Sequence, residues 1–287
     1  MKRLSIVFLS ILSFLSLLCV PSKPKNALPE TSPISNAKSA TKQEAPIVPK
    51  MAIVIDDFGS YDQSGVETLS KCTAPLTCAV IPNVDNTETN IKQFSELGHE
   101  IILHMPMQSH VSLPEDWYGP VYIKNTDSPE VATNKISKCL KQFPSVKGFN
   151  IHIGSGVSRN KGLMTAIYNF AKENNLYFLD SRTIETTATE DACLETNSVY
   201  LGRNVFLEAD KNRSYQGVCY RLLEGAQIAK EQGFSIVIGH VGAEGGENTA
   251  KAILDTLSKI EEMGVKIVPL SEIYELAKTK SQKFVNN

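Results

Sequence analysis

Two adjacent carboxylates, Asp56 and Asp57, end the apolar run "AIVI" of residues 52–55. Like charges this close raise each other's pKa, and joint ionisation is disfavoured unless something positive lies nearby. The chain holds five histidines: His99, His104, His110, His152 and His240. Three of them stand in or at the end of short apolar runs, in "ILHM", "NIHIGS" and "VIGH", and Asp180-Ser181-Arg182 ends another. An Asp with two His can hold Zn²⁺ or a similar divalent ion and leave a position open for water. A cation bound by one carboxylate of the pair relieves the repulsion and leaves the other free as a base. The chemistry this set points to is metal-assisted hydrolysis. A plainer alternative is a turn, with Asp57 or Ser60 capping the next helix and the histidines hydrogen-bonded as structural residues. His99 reads as a polar strand-start residue and His110 as a solvated loop residue. Trp117 and Tyr118 read equally well as loop core or as stacking surfaces for a sugar ring.

Residues of these types can meet only if the strands that carry them end on one side. Strand-length apolar runs at 52–55, 76–81, 100–105, 148–153, 176–180, 199–207, 234–240 and 265–270 alternate with helix-length amphipathic segments. Continuous apolar runs suit strands covered on both faces. The helix starting at Pro129 has Ser128 as its cap and Glu130 in its first turn. Gly98 follows the helix that ends at Leu97 and can supply a left-handed cap. The pattern predicts an α/β fold of mostly parallel strands, and about seven strand–helix units favour a (β/α) barrel over an open sheet. In such a barrel the carboxyl ends of the strands build the active site.

The termini differ in kind from this core. Residues 1–20 carry Lys2 and Arg3 ahead of an uncharged apolar run, which predicts an export signal or membrane anchor. Leu18 before Cys19 is not small, which argues against lipid attachment at that cysteine. Residues 21–49, rich in Pro, Ser, Thr, Ala, Lys and Glu and without aromatics, predict a disordered linker. Residues 50–280 are the predicted barrel and 281–287 a tail. The protein is therefore expected to be exported, periplasmic or in the cell envelope. A formal net charge of −2, from 29 basic and 31 acidic residues, gives no electrostatic footprint for nucleic acid. Membrane contact is expected only through the N-terminal segment, and nothing in the sequence fixes an oligomeric state. Of the five cysteines in residues 50–280, none forms a CxxC pair, which argues against a structural zinc site. Pairing of Cys72 with Cys78, or Cys193 with Cys219, is permitted in an exported protein, as are buried single thiols.

The stretches "AIVIDDFG", "AVIPN", "GHEIILHMPMQ", "GFNIHIGS", "FLDSRT", "RNVFLE" and "VIGH" together resemble the divergent polysaccharide deacetylase family, a branch of the carbohydrate deacetylase superfamily with a distorted (β/α) barrel. They run in family order across nearly the whole of residues 51–270. The resemblance implies hydrolysis of an acetyl group on a polysaccharide or oligosaccharide, with a divalent metal, zinc above others. It implies Asp56 as general base, Asp57 and His104 as metal ligands, and His240 as general acid. His152 lies in a stretch particular to the divergent branch and is implied as the further metal ligand. Asn150, Ser155, Asp180 and Arg182 are implied in substrate binding or support. The superfamily's second metal histidine falls at Gln108, a poor zinc ligand, and its Arg-x-Pro-Tyr segment is absent. Those departures leave room for a non-catalytic metal- or glycan-binding envelope protein, or for an amidase or esterase acting on something other than a sugar.

Overall fold

The computed structural model of the protein describes residues 48–285 apart from 144, 186, 211 and 212. The predicted leader 1–20 and all but the last two residues of the predicted linker lie outside the described residues. No helix among the described residues is long and apolar enough to cross a membrane.

Among the described residues nine strands build one sheet: β1 (Lys50–Phe58), β2 (Thr77–Val80), β3 (Glu100–Met107), β4 (Gly148–Ile153), β5 (Tyr177–Asp180), β6 (Leu201–Gly202), β7 (Val205–Phe206), β8 (Phe234–His240) and β9 (Lys266–Ile267). Their order is β6-β5-β4-β3-β2-β1-β8-β7, with β9 on β1, and the pairings are parallel. The helices are α1 (Val66–Leu69), α2 (Thr87–Glu96), α3 (Pro129–Leu140), α4 (Lys161–Glu173), α5 (Thr189–Glu195), α6 (Tyr215–Gln232), α7 (Gly246–Glu262) and α8 (Leu270–Val285). The last runs past residue 280. The Ser128 hydroxyl caps α3 by accepting from the Val131 N–H at 3.2 Å. Neither Asp57 nor Ser60 caps a helix, because α1 starts only after Gly65.

The apolar stretch 199–207 is two short strands rather than one. β6 and β7 lie at opposite ends of the sheet, yet only Arg203 and Asn204 separate them. The Arg203 N–H donates to the Asp180 carbonyl on β5 at 3.1 Å, and the Asn204 N–H to the Ile236 carbonyl on β8 at 2.8 Å. The Ile236 N–H donates in turn to Asn204 Oδ1 at 2.8 Å. The chain thus closes the distorted barrel at a single crossing, without a ladder between its two edges.

Strand parity explains where the core sits. Side chains two apart share a face, so Ala52 and Val54 stand below Asp56, Ile102 below His104, and Ile236 and Ile238 below His240. Those apolar residues, with Leu179 and Leu201, form one buried cluster, to which α8 adds Leu270, Ile273 and Ala277. Residues of the opposite parity, among them Met51, Ile53 and Ile55, pack in a larger cluster with Phe94, Ile136, Leu222 and Ile253 from the helices. Each fully buried Leu, Ile or Phe contributes about 1.5–3 kcal/mol relative to exposure. The inner cluster forms the floor beneath the polar strand ends. The five described cysteines are free thiols, four of them buried, so neither sequence-permitted bridge is formed.

Candidate metal and catalytic site

On a regular strand Asp56 and Asp57 would face opposite sides. The β1–β2 register slips between Ile55 and Phe58, and Asp57 takes φ 68, a left-handed conformation that costs a non-glycine residue energy. This irregularity turns both carboxylates toward His104: Asp57 Oδ1 lies 3.3 Å and Asp56 Oδ2 3.8 Å from its Nε2. Bulges re-aim side chains at sites of this kind. A second strained position follows His152, where the β-branched Ile153 takes φ 61.

Register brings the rest together. His104 on β3 is level with Asn150 on β4, and His152 stands two residues further along β4. Asp56 on β1 is level with His240 on β8. His152 Nδ1 lies 3.0 Å from Asp57 Oδ1. Asp57 Oδ1, one ring nitrogen of His104 and one of His152 all fall within 4.8 Å of one another.

The surrounding hydrogen bonds decide which ring nitrogens carry protons. Asn150 donates through Nδ2 to Asp56 Oδ1 at 2.8 Å, so its carbonyl faces His104 Nδ1 at 2.6 Å and must accept from it. Reversing the amide would set its oxygen against a carboxylate. In neutral His104 the proton is therefore on Nδ1, and Nε2 presents a lone pair to Asp57. The Trp117 carbonyl can only accept, so His152 carries its proton on Nε2, 3.1 Å away, and its Nδ1 lone pair also faces Asp57. Asp57 Oδ1 is itself buried with no hydrogen-bond donor. Three lone pairs converging on one point suit a cation, and fixing of the distal ring nitrogen is what metal-binding histidines require. These three residues fit a divalent ion.

Electrostatics follow the geometry. Burial works against ionised Asp57, but in the absence of a cation His104 and His152, when charged and donating to it, outweigh that and hold its carboxyl well below the usual range. Burial lifts Asp56, and His104, His240 and Asn150 offset only part of that. Burial would lower His104, yet Asp56 and Asp57 raise it on balance. Across the site, burial also opposes charge on His240, but Glu208 outweighs it and the imidazole is raised from 6.5 to about 9. Glu208 is buried, with Oε2 3.0 Å from His240 Nδ1 and Oε1 accepting from the His240 N–H at 3.0 Å and the Thr249 hydroxyl at 2.5 Å. Nδ1–H therefore donates to Glu208, and Nε2 is the nitrogen that faces outward.

A cavity of about 730 Å³ opens over these groups, lined by Asp56, Asp57, His104, His152 and His240 among others. A sequence model of divergent polysaccharide deacetylases matches residues 53–274. The chain belongs to the divergent polysaccharide deacetylase family. It is 30% identical over 195 residues to the uncharacterized protein YibQ of Escherichia coli (strain K12), a match spanning 67% of this chain and 58% of YibQ. It thus spans less than two thirds of that relative. Its fold is that of an uncharacterized Agrobacterium tumefaciens C58 protein, with TM-score 0.70, 16% identity and coverage of 78% of this chain and 89% of the other. The catalytic domain of peptidoglycan N-acetylglucosamine deacetylase from Eubacterium rectale ATCC 33656 is more distant, with TM-score 0.51, 16% identity and coverage of 78% and 90%. At these identities the likeness is one of fold.

The other residues marked in this deacetylase-family sequence lie around the cavity in different ways. Arg182 lines it. Asp180 is fully buried behind the wall, where Oδ1 accepts from the Arg182 N–H and Oδ2 from the hydroxyls of Thr189 and Tyr200. Asn150 is buried and acts through Asp56 and His104. Ser155 is not in the cavity lining; its hydroxyl meets Ser109 Oγ at 3.1 Å and His110 Nδ1 at 2.8 Å, tying two loops together. His110 is thus exposed but bonded. His99 is buried and accepts from the Leu76 N–H. Gln108 turns its carbonyl to the Asn125 N–H at 2.7 Å, away from the ligand cluster. Tyr118 is buried and Trp117 exposed at the cavity rim. Sequence reasoning missed the Glu208–His240 pair and Arg203. Glu208 and Arg203 both lie in the "RNVFLE" stretch, but the β7–β8 pairing alone shows that Glu208 meets His240, and the crossing between β6 and β7 alone shows that Arg203 meets the Ser181 and Arg182 carbonyls.

Proposed function

We propose that the protein is a metal-dependent hydrolase that removes acetyl groups from nitrogen on an envelope polysaccharide. The observation that carries this reading is the convergence of three lone pairs from Asp57, His104 and His152, with Asp56 beside them and a Glu208-held His240 beside Asp56. Asp57, His104 and His152 would hold a divalent ion, zinc by its taste for nitrogen and carboxylate ligands. When bound, that ion would supply Lewis acidity and acidify water.

The chain's own groups supply the proton transfers. Asp56 is bound at Oδ1 by Asn150, so Oδ2 is its basic atom, and burial makes it a stronger base than an exposed aspartate. It takes the proton of the attacking water. His240, charged at neutral pH through Glu208, gives its Nε2 proton to the departing nitrogen. The walls of the cavity would orient the sugar. Gln108 costs the site no ligand atom in this reading, because His152 supplies the third. The predicted export of residues 1–20 would place the enzyme among envelope glycans, and that location is part of the proposal.

The test is metal content of the purified full chain by elemental mass spectrometry, beside His104→Ala and His152→Ala, followed by acetate release from chitooligosaccharides. About one zinc per chain, lost in both variants, with acetate release by the parent, is expected. No metal after added zinc would overturn the reading. Metal without acetate release from any acetylated glycan would leave a binding protein.

A further inference from the structure

Arg203 lines this cavity and has no part in the proposed reaction. It sits at the crossing between β6 and β7, where its own N–H is held by Asp180 and its neighbour Asn204 is bonded twice to Ile236. Its side chain is equally fixed. Nε donates to the Ser181 carbonyl at 2.7 Å and Nη2 to the Arg182 carbonyl at 2.7 Å. The guanidinium lies 5.1 Å from the centre of the Phe206 ring, which meets the His240 ring at 5.1 Å, edge on. Arg203 and Phe206 both line the cavity.

This arrangement fixes a positive charge whose direct hydrogen-bond acceptors carry no charge. Both side-chain acceptors of Arg203 are neutral carbonyls, and no carboxylate among the described residues forms an ion pair with it. Arg182, next to it, is different: it pairs with Glu190 at 3.0 Å and bonds the Tyr200 hydroxyl. The cavity lining also includes the acidic Asp62, Asp116 and Glu244, the last paired with Arg213 at 2.8 Å. A half-buried guanidinium with no carboxylate in direct contact is costly, and its planar fork suits a carboxylate. Burial and the adjacent Arg182 pull Arg203 below its ordinary range, and the charges of Asp180, Asp56 and Glu208, none of them in contact with it, offset only part of that; an arginine stays protonated at neutral pH.

We propose that Arg203 forms an anion subsite that selects acetylated sugars carrying a carboxylate close to the acetamido group. The Phe206 ring links the two distances, so the guanidinium is at most about their sum, roughly 10 Å, from the imidazole that serves the leaving nitrogen. The selected carboxylate therefore belongs to the reacting sugar or its immediate neighbour. A lactyl ether on the acetylated sugar and a uronic acid beside it share this chemistry. The inference rests on the deacetylase reading for what happens at the acetamido group, but the subsite itself is a matter of binding.

The experiment measures binding by calorimetry and acetate release for the metal-loaded full chain. The probes are an oligosaccharide with lactyl carboxylates, one with alternating uronic acids, and each of these with its carboxyl groups reduced to alcohols. One charge-assisted contact predicts about tenfold or more tighter binding of at least one carboxylate glycan over its reduced form. Arg203→Ala should erase that difference, with zinc content unchanged as the check on folding, and Arg203→Lys should restore part of it. Whichever acidic glycan shows the difference identifies the source of the carboxylate. No difference in the parent protein overturns the subsite. So does an equal loss for acidic and reduced glycans in Arg203→Ala, or a shifted pH profile with selectivity intact. Selective binding with no acetate release would sink the deacetylase reading and leave the subsite standing.

Discussion

Glu208→Gln isolates the electrostatics of the acid. In the parent protein Glu208 holds His240 Nδ1 at 3.0 Å, and its charge lifts the imidazole to about 9 against the opposing effect of burial. A rise from 6.5 to about 9 corresponds to roughly 3 kcal/mol in favour of the charged ring. The protonated ring is the active form of an acid. Because its pKa is raised, activity is present below the raised value and is lost as pH climbs through it. The amide of the variant keeps the size and the Thr249 contact but removes the charge, so the ring falls back toward 6.5. At pH 8 a group near 9 is roughly nine-tenths protonated and one near 6.5 about one-thirtieth. Acetate release should therefore drop about 30-fold at pH 8 and little at pH 6, a move of the alkaline limb and not a uniform loss. A cation beside Asp57 would lower His240 in parent and variant alike, so the difference between them survives. The assay is the pH profile of kcat/KM, with NMR titration of the labelled His240 ring as a readout independent of turnover. An alkaline limb and a ring titration that both stay where they were would refute the assignment of Glu208 as the group that keeps His240 charged.

Asp56→Asn should keep the metal and lower acetate release by about 10²–10⁴-fold; unchanged release would show that the base is elsewhere. Asn150→Ala removes the group that fixes the His104 proton on Nδ1, and metal affinity should fall about 10–100-fold by competition titration with a chelator. Unaltered affinity would mean that His104 needs no such partner. Gly65 has φ 86, and an added Cβ there would collide with the Gly246 carbonyl oxygen. Gly65→Ala should thus cost more than about 1 kcal/mol in urea unfolding, and an unchanged midpoint would contradict the tight approach of α1 and α7.

The candidate site residues were legible in the chain because their signal is local. A buried parallel strand has to be apolar along its length, so Asp56, His104, His152 and His240 stand out at the ends of such runs, and alternation of runs with amphipathic helices announces an α/β barrel. Residue type alone also marked the Asp56-Asp57 pair as a source of one ligand and one base. What the sequence could not decide is direction and partnership. A period of two would separate Asp56 from Asp57, and only the slipped register and left-handed Asp57 bring both to His104. Which nitrogen of His104 or His152 is free depends on Asn150 and on the Trp117 carbonyl, 46 and 35 residues away along the chain. Glu208 meets His240 across 32 residues through the β7–β8 pairing, and Arg203 finds its place only because the stretch 199–207 breaks into two strands at opposite edges of the sheet. Strand-forming and apolar character are properties of neighbouring residues and can be read from the string. Proton placement, charge compensation and side-chain direction are set by contacts between distant segments, and those exist only once the barrel has closed.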